Sequence, residues 1–324
     1  MTEVTPGPQW DEVLDRDMLP IVRRMRERMA SRAPMTSVEP EAMRARAAAD
    51  FAVWNEDPPE LPQVTDLILD TPPPLQARLY CPEPTNDCRG LLVHFHGGGW
   101  VIGDIDFEDR ACRSVARESG MKVLSVAYRL APETKFPEPV HDCVAATRWA
   151  RDNAAQLDID PARIALGGAS AGANLAIAAA LHMRALDVAG PAFLLLLYGV
   201  YDMRTDTESY RLFGDGGYGL GGAALDFFMT LYLRSPEDRD DPLASPLRAD
   251  LRGLAPCFLA IAGIDPLRDD SRMLGAKLRE ARVEVEVREY EGVLHGFTQF
   301  ARESALGRRA LSDAAMALKA ALAG

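Results

Sequence analysis

Short apolar runs alternate with helical patterns along most of the chain. Strand-like runs occupy residues 64–69, 75–81, 90–95, 122–127, 163–166, 192–199, 257–262 and 283–290. Helical patterns lie between the later runs, at residues 107–119, 140–155, 171–186, 271–281 and 306–322. Because parallel strands need such crossover connections, the pattern predicts an α/β protein with a mostly parallel, eight-stranded sheet and helices on both faces. The first two runs are separated only by residues 70–74, so they are predicted to pair antiparallel.

Two segments fall outside this alternation. Residues 1–60 have the pattern of amphipathic helices, and more than fifty residues rich in glycine and aromatic side chains lie between Val200 and Cys257. A connection of that length is usually an insertion with a function of its own. We therefore divide the chain into an N-terminal helical cap segment (1–60), a core in two parts (61–200 and 237–324) and a cap insertion (201–236). The alternative for the first segment is a plain peripheral helical layer.

Composition and charge disfavour several kinds of partner and site. A formal net charge of −12 disfavours nucleic acids and anionic membrane surfaces as partners. The N-terminal residues lack the features of a secretory signal, and no run is long enough to span a bilayer, so we expect a cytoplasmic protein. The cysteines are odd in number and form no C-x-x-C pair, which indicates neither a disulfide framework nor a zinc site. They are Cys81, Cys88, Cys112, Cys143 and Cys257.

The sequence Gly168-Ala169-Ser170-Ala171-Gly172 lies between an apolar run and a helical pattern. A G-x-S-x-G motif in this context is typical of a nucleophile elbow, a strained turn that exposes a serine hydroxyl at the edge of a sheet. Only very small side chains fit around such a turn. The alternative is an ordinary strand–helix junction in which Ser170 caps the helix.

A glycine loop, His96-Gly97-Gly98-Gly99-Trp100, directly follows the strand at 90–95. Consecutive glycines let backbone N–H groups approach a ligand, as in an oxyanion hole, where the residue after the nucleophile supplies a further donor. Here that residue is Ala171. A phosphate-binding loop is the rival, but no G-K-[ST] sequence follows.

A base and its orienting acid are also present. His295 alone among the five histidines lies in a loop after the last predicted strand, where chain order places the histidine of a Ser…Asp…His triad. Asp265 and Asp202 both follow predicted parallel strands, at the edge where such sheets carry their sites. We favour Asp265 because Pro266 fixes its turn.

Together these motifs resemble the bacterial hormone-sensitive-lipase family of α/β-hydrolases, which is also called family IV. The resemblance includes Tyr128-Arg129-Leu130-Ala131-Pro132-Glu133 and runs from Gly90 to Phe297. It implies a carboxylesterase with Ser170 as nucleophile, His295 as base and Asp265 as orienter. It further implies oxyanion donors at Gly98, Gly99 and Ala171, a loop shaped by His96, and a lid built from the N-terminal helices and the insertion. The chain departs from the family pattern at Ala169 and Ala173.

The expected reaction is two-step hydrolysis of small to medium apolar esters, with no metal or organic cofactor. Two alternatives remain open: an amidase or deacetylase acting on an acylated metabolite, and a non-catalytic small-molecule binder. The presence of His295 argues against the binder.

The last predicted strand, from Val283 to Tyr290, alternates valines with charged residues. Such alternation fits an edge strand with one solvated face, and an edge offers unpaired backbone groups to another chain. We therefore predict a two-fold homodimer through residues 283–290. The alternative is a monomer whose edge is shielded by its own C-terminal helix.

Overall fold

The structure, a computed structural model, describes residues 12–83 and 89–323. The expectations made for the first residues of the chain and for Cys88 lie outside these ranges. Within them, no helix is both long and apolar enough to cross a membrane.

Eight strands of the described chain form one sheet in the order β1-β2-β4-β3-β5-β6-β7-β8. β1 pairs antiparallel with β2, and β2 antiparallel with β4, while the remaining neighbours are parallel. The predicted fold class is therefore confirmed. The strands are β1 (Gln63–Leu69), β2 (Leu75–Cys81), β3 (Leu91–Phe95), β4 (Lys122–Ala127), β5 (Ile164–Ala169), β6 (Phe193–Leu197), β7 (Cys257–Ile264) and β8 (Val285–Leu294).

Helices cover both faces of the sheet. In chain order, the first two helices precede the first strand, and two more lie in the insertion. The remaining helices connect or follow the strands. The central strands β3, β5, β6 and β7 are buried along their whole length, which explains why they read as continuous apolar runs. The helices are α1 (Met18–Ala30), α2 (Pro40–Phe51), α3 (Asp109–Ser119), α4 (Glu138–Asp152), α5 (Ala171–Ala185), α6 (Glu208–Phe213), α7 (Gly222–Tyr232), α8 (Arg268–Glu280) and α9 (Ala305–Leu322).

Two hydrophobic clusters lie on opposite faces of the sheet. One joins α4, α5 and α8, and the other joins α3 and α9. α1 packs on the second cluster through Met18, Ile21 and Val22, whereas α7 packs on the first through Phe228 and Met229. The amphipathic N-terminal helices and the insertion thus bury their apolar faces against the core.

Some element boundaries differ from the prediction. The helix expected at 107–119 begins instead at Asp109, with Glu108 in the N-cap position. Glu108 is buried and its carboxylate is bound by other groups, so it is held outside the helix. β8 also continues to Leu294, beyond the predicted end, because Leu294 pairs with Ile264 after an irregularity in the register.

The junction of β5 and α5 depends on a close backbone contact with β3. A Cβ atom at Gly168 would lie 2.4 Å from the carbonyl oxygen of Phe95, and one at Gly172 would lie 1.9 Å from the same oxygen. Real Cβ atoms do not approach so closely, and the atom that would have to move belongs to the central sheet. Glycine at these two positions is therefore a packing requirement of the fold.

Substituting Gly172→Ala should destabilise the protein by about 3 kcal/mol or more, since the added methyl group overlaps the backbone of β3. The matched control is Gly190→Ala, where an added Cβ meets no atom within 4 Å. This control should change the free energy of unfolding by less than about 0.5 kcal/mol. Urea unfolding monitored by circular dichroism measures both. Equal stabilities for the two variants would contradict the packing argument.

Candidate active site

Ser170 stands between the end of β5 and the start of α5. Its backbone has φ 55° and ψ −120°, a conformation that side-chain-bearing residues rarely adopt, and its N–H group donates to the carbonyl oxygen of Leu197 in β6. The side chain is thereby held at the carboxyl edge of the sheet, at the N-terminus of α5. This is the geometry of a nucleophile elbow.

His295 follows β8 directly and contacts Ser170. Its Nε2 atom lies 2.9 Å from Ser170 Oγ, and its Nδ1 atom lies 2.7 Å from Asp265 Oδ2. Gly296, at φ 77°, turns the chain immediately after the histidine. The imidazole thus bridges a hydroxyl and a carboxylate that are far apart in sequence.

Asp265 directly follows β7 and is fully buried. Its second oxygen, Oδ1, accepts from the backbone N–H of Leu267 at 2.8 Å, so both carboxylate oxygens are engaged. Asp202, the alternative orienter, does not meet His295 and instead lies 3.6 Å from the guanidinium of Arg248. Of the two candidate acids, the structure therefore brings Asp265 and not Asp202 into contact with His295.

The glycine loop lies beside this serine with its backbone in conformations that glycine favours. Gly98 has φ 110° and Gly99 has φ 59°. Within residues 12–83 and 89–323, the N–H groups of Gly98, Gly99 and Ala171 have no hydrogen-bond acceptor in the protein. Three unpaired donors next to a serine hydroxyl form a site suited to a negatively charged oxygen.

His96 fixes the peptide between Gly97 and Gly98. Burial lowers the pKa of His96, so its ring is neutral, and its Nδ1–H donates to the carbonyl oxygen of Gly97 at 2.7 Å. The ring stacks on Tyr128, whose hydroxyl donates to the backbone oxygen of His96 at 3.0 Å. Because the Gly97 carbonyl and the Gly98 N–H share one peptide plane, holding the carbonyl also orients that N–H.

Glu108 and Gln299 were not singled out from the sequence, yet both lie against the glycine loop. Glu108 Oε1 accepts from the N–H of Gly97 at 3.1 Å and from Gln299 Nε2 at 3.2 Å. Its Oε2 pairs with His94 Nε2 at 2.7 Å. Burial opposes a charge on His94, but Cys112 and Glu108 together raise the pKa of His94 to about 10. The available signal was a histidine inside an apolar strand, which requires a buried partner.

A cavity of about 560 Å³ opens above Ser170 and His295. Segment 1–60, the insertion and the glycine loop all contribute to its wall, so the two segments outside the core meet over the serine. The apolar side chains of this wall include Met25, Phe51, Ile102, Phe107, Leu220, Leu225, Phe228 and Phe300. In the described chain, no group of three or more metal-ligating side chains is arranged to hold an ion.

Comparison with known proteins agrees with this architecture. Residues 92–299 match the α/β hydrolase fold family. Acetyl esterases of two Salmonella strains, schwarzengrund and typhi, are 35% and 36% identical to this chain over 265 residues, covering 81% of both chains in each case.

Solved structures of other hydrolases are also similar to this chain. A serine-to-alanine mutant of an α/β hydrolase from the metagenome of Lake Arreo has a TM-score of 0.91 at 34% identity, covering 95% of this chain and 98% of that one. A hyperthermophilic esterase from Pyrobaculum calidifontis has a TM-score of 0.90 at 30% identity, with the same coverage.

An elbow serine at the carboxyl edge of a mostly parallel sheet, beside a histidine and a glycine loop, defines an α/β-hydrolase. The chain belongs to the α/β hydrolase fold family, in its hormone-sensitive-lipase-like branch, as the resemblance implied. It is a carboxylic-ester hydrolase.

A further buried carboxylate, Asp270, supports the loop that follows β6. Its Oδ2 accepts from the N–H groups of Tyr201 and Asp202, each at 3.1 Å. Its Oδ1 has no hydrogen-bond partner in the described chain. Burial raises the pKa of Asp270 to about 8, against the two hydrogen bonds, which lower it. The protonated form of Asp270 is thus the favoured one in the folded protein at neutral pH.

This shift predicts a pH-dependent stability. An unfolded aspartate ionises near about pH 3.9, so the folded state alone keeps the Asp270 proton between that pH and about 8, and stability falls as pH rises through this window. Asp270→Asn keeps the acceptor oxygen and cannot ionise.

The free energy of unfolding of Asp270→Asn, minus that of the wild type, should therefore rise from about pH 4.5 to about pH 8 and then level off. Urea titrations across this range measure the difference. A difference independent of pH would show that Asp270 ionises normally in the folded protein.

Proposed function

We propose that Ser170, His295 and Asp265 form the catalytic triad of this ester hydrolase. The observation that carries the proposal is the continuous hydrogen-bonded series from Ser170 Oγ through His295 to Asp265, with contacts of 2.9 and 2.7 Å. A serine hydroxyl is activated when a base lies within hydrogen-bond distance of it and a carboxylate orients that base.

In the acylation step, Ser170 Oγ attacks the ester carbonyl carbon and its proton passes to His295 Nε2. The carbonyl oxygen becomes an oxyanion that accepts from the N–H groups of Gly98, Gly99 and Ala171. Loss of one such donor typically costs about 3 kcal/mol of transition-state stabilisation. His295 then returns the proton to the leaving alkoxide, which departs as the alcohol and leaves an acyl-serine.

Deacylation repeats these steps with water. His295 removes a proton from the attacking water, the acyl-serine bond breaks, and the proton returns to Ser170 Oγ as the carboxylic acid leaves. Asp265 keeps the proton of the histidine on Nδ1 and stabilises the imidazolium that forms in each step. The bond to Leu267 N–H helps to hold the Asp265 carboxylate in place.

Small to medium apolar esters are the proposed substrates. The apolar side chains around the cavity of about 560 Å³ favour an uncharged acyl or alcohol group. The relatives from Salmonella are named acetyl esterases, which supports a short acyl group as one substrate.

We further propose that residues 1–60 and 201–236 together act as a cap over the site, between the two parts of the core at 61–200 and 237–324. Two observations support the proposal. α7 packs against the short 3₁₀ helix Met35–Ser37, and both segments line the cavity above Ser170. Such a cap would exclude water from the bound ester.

We also propose a homodimer through β8, within residues 283–290. β8 is the last strand of the sheet. The carbonyl oxygen of Glu284 accepts from Cys257 N on the β7 side, so the N–H groups of the alternate residues Val285 and Val287 are directed away from β7. Outward N–H groups on an edge strand can pair with a second chain.

Ser170→Ala should abolish hydrolysis of p-nitrophenyl acetate and butyrate while leaving the unfolding curve unchanged. Asp265→Asn should lower kcat by about 10⁴-fold, since it favours the wrong histidine tautomer. Steady-state kinetics on purified protein, with rates expressed per mole of folded protein, measures both.

Asp202→Asn is the matched control because Asp202 follows the neighbouring strand without reaching His295. It should keep kcat within about tenfold of the wild type. The triad is refuted if Ser170→Ala retains activity, and its acid is wrongly assigned if Asp202→Asn is the crippled variant.

For assembly, the wild type should be a dimer in light scattering at micromolar concentration, and Val285→Pro should be a folded monomer because one outward N–H group is lost. Val285→Ala keeps that N–H group and should stay dimeric. A monomeric wild type, or a dimeric proline variant, rules out this interface.

A further inference from the structure

The buried carboxylate of Glu108 joins two parts of the proposed active site that belong to different regions of the chain. One of its donors, the N–H of Gly97, is in the glycine loop, and the other, Gln299, lies in the 3₁₀ helix Phe297–Arg302 that follows His295. Both bond to the same oxygen, Oε1. The glycine loop and the histidine loop therefore share one anchor.

The anchor is close to the serine itself. A Cβ atom built on Gly97 would lie 3.1 Å from Glu108 Oε1 and 3.5 Å from the Cβ atom of Ser170. Gly97 thus fills the narrow space between the carboxylate and the nucleophile. A shift of the carboxylate would move the glycine loop relative to Ser170.

The charge of the carboxylate is balanced within the core. His94 donates to Glu108 Oε2 at 2.7 Å, and both side chains are almost fully buried. A buried ion pair of this kind costs desolvation, and a lone buried carboxylate would cost more. With the histidine charged, the carboxylate presents little net negative charge to an oxyanion forming nearby.

We propose that Glu108 is a positioning residue for ester hydrolysis, which fixes the glycine loop and the segment after His295 in register with Ser170 through Gly97 and Gln299. The proposal rests on the triad and oxyanion hole proposed above. Glu108 does not touch the reacting atoms, because its oxygens are occupied by His94, Gly97 and Gln299.

The hydrogen bonds of Glu108 orient the peptide before Gly97, and His96 holds the peptide after it. The peptide after Gly97 carries the N–H group of Gly98, and the peptide that carries the N–H group of Gly99 follows it directly. Misaligned donors weaken binding of the transition state more than binding of the ester, so the loss should fall on kcat and leave KM nearly unchanged.

Glu108→Leu removes both acceptor oxygens at similar size and should lower kcat per titrated active site by about 100-fold, with KM within about threefold of the wild type. Glu108→Gln keeps an acceptor for Gly97 and an amide for neutral His94, so its kcat should stay within about tenfold. p-Nitrophenyl acetate is the substrate.

Asp313→Leu is the matched control, because Asp313 is also a buried carboxylate, accepting from the hydroxyl of Tyr290 on α9's side of the sheet. It should lower stability and leave kcat per active site unchanged. If Glu108→Leu folds too poorly to assay, Gln299→Leu provides the test, with an expected loss of about tenfold in kcat. Where Glu108→Leu and Gln299→Leu can both be assayed, their effects on kcat should not add in the double variant, because both remove the hydrogen bond between Glu108 and Gln299.

The positioning role is overturned if Glu108→Leu or Gln299→Leu keeps kcat within about threefold, if Asp313→Leu lowers kcat equally, or if Glu108→Gln is as impaired as Glu108→Leu. Ser170→Ala, assayed in parallel, separates the two proposals. Activity in Ser170→Ala would refute the triad, whereas an inactive Ser170→Ala beside an unimpaired Glu108→Leu would refute the anchor alone.

Discussion

The structure depends on the close approach of two backbones where β5 passes into α5 beside β3. The carbonyl oxygen of Phe95 occupies the space in which side chains at Gly168 and Gly172 would stand. This contact allows the chain to turn within a single residue, Ser170, and it sets the start of α5 at the edge of the sheet. The glycine loop begins directly after Phe95, so the same contact also brings that loop to the serine. Ser170 and the unpaired donors are thus positioned by the same packing contact.

The residues around Ser170 are all positioned by strands of the rigid sheet. Ser170 follows β5, Asp265 follows β7 and His295 follows β8, and β7 and β8 are neighbours in the sheet. Parallel strands end at a common edge, so residues far apart in the chain come together without a long flexible loop. The bulk of the core, on both faces, holds these strand ends in register. Distances of 2.9 and 2.7 Å around His295 follow from that rigidity.

Short-range patterns made most of this predictable. The alternation of strands and helices gave the sheet, and the motifs around Ser170, Gly98 and His295 could be recognised because each is a few consecutive residues with demanding geometry. Glu108 could not be found in this way, since its partners are 14, 11 and 191 residues distant in the chain. The same long-range bonds explain the misplaced start of α3, because local capping preferences gave way to a buried network. Strand β8 ran past its predicted end for the analogous reason that pairing with β7 is not visible in local sequence.

The backbone of Ser170 has a further consequence. At φ 55° and ψ −120° it occupies a region where glycine is comfortable and serine is strained, at a cost of order 1–3 kcal/mol. The native state is therefore less stable than it would be in a closely related chain without strain at this residue. Selection for stability alone would disfavour serine at that residue, whereas the nucleophilic role proposed for the hydroxyl requires it. In the proposed mechanism, the strained turn therefore exchanges folding free energy for the reactivity of one hydroxyl.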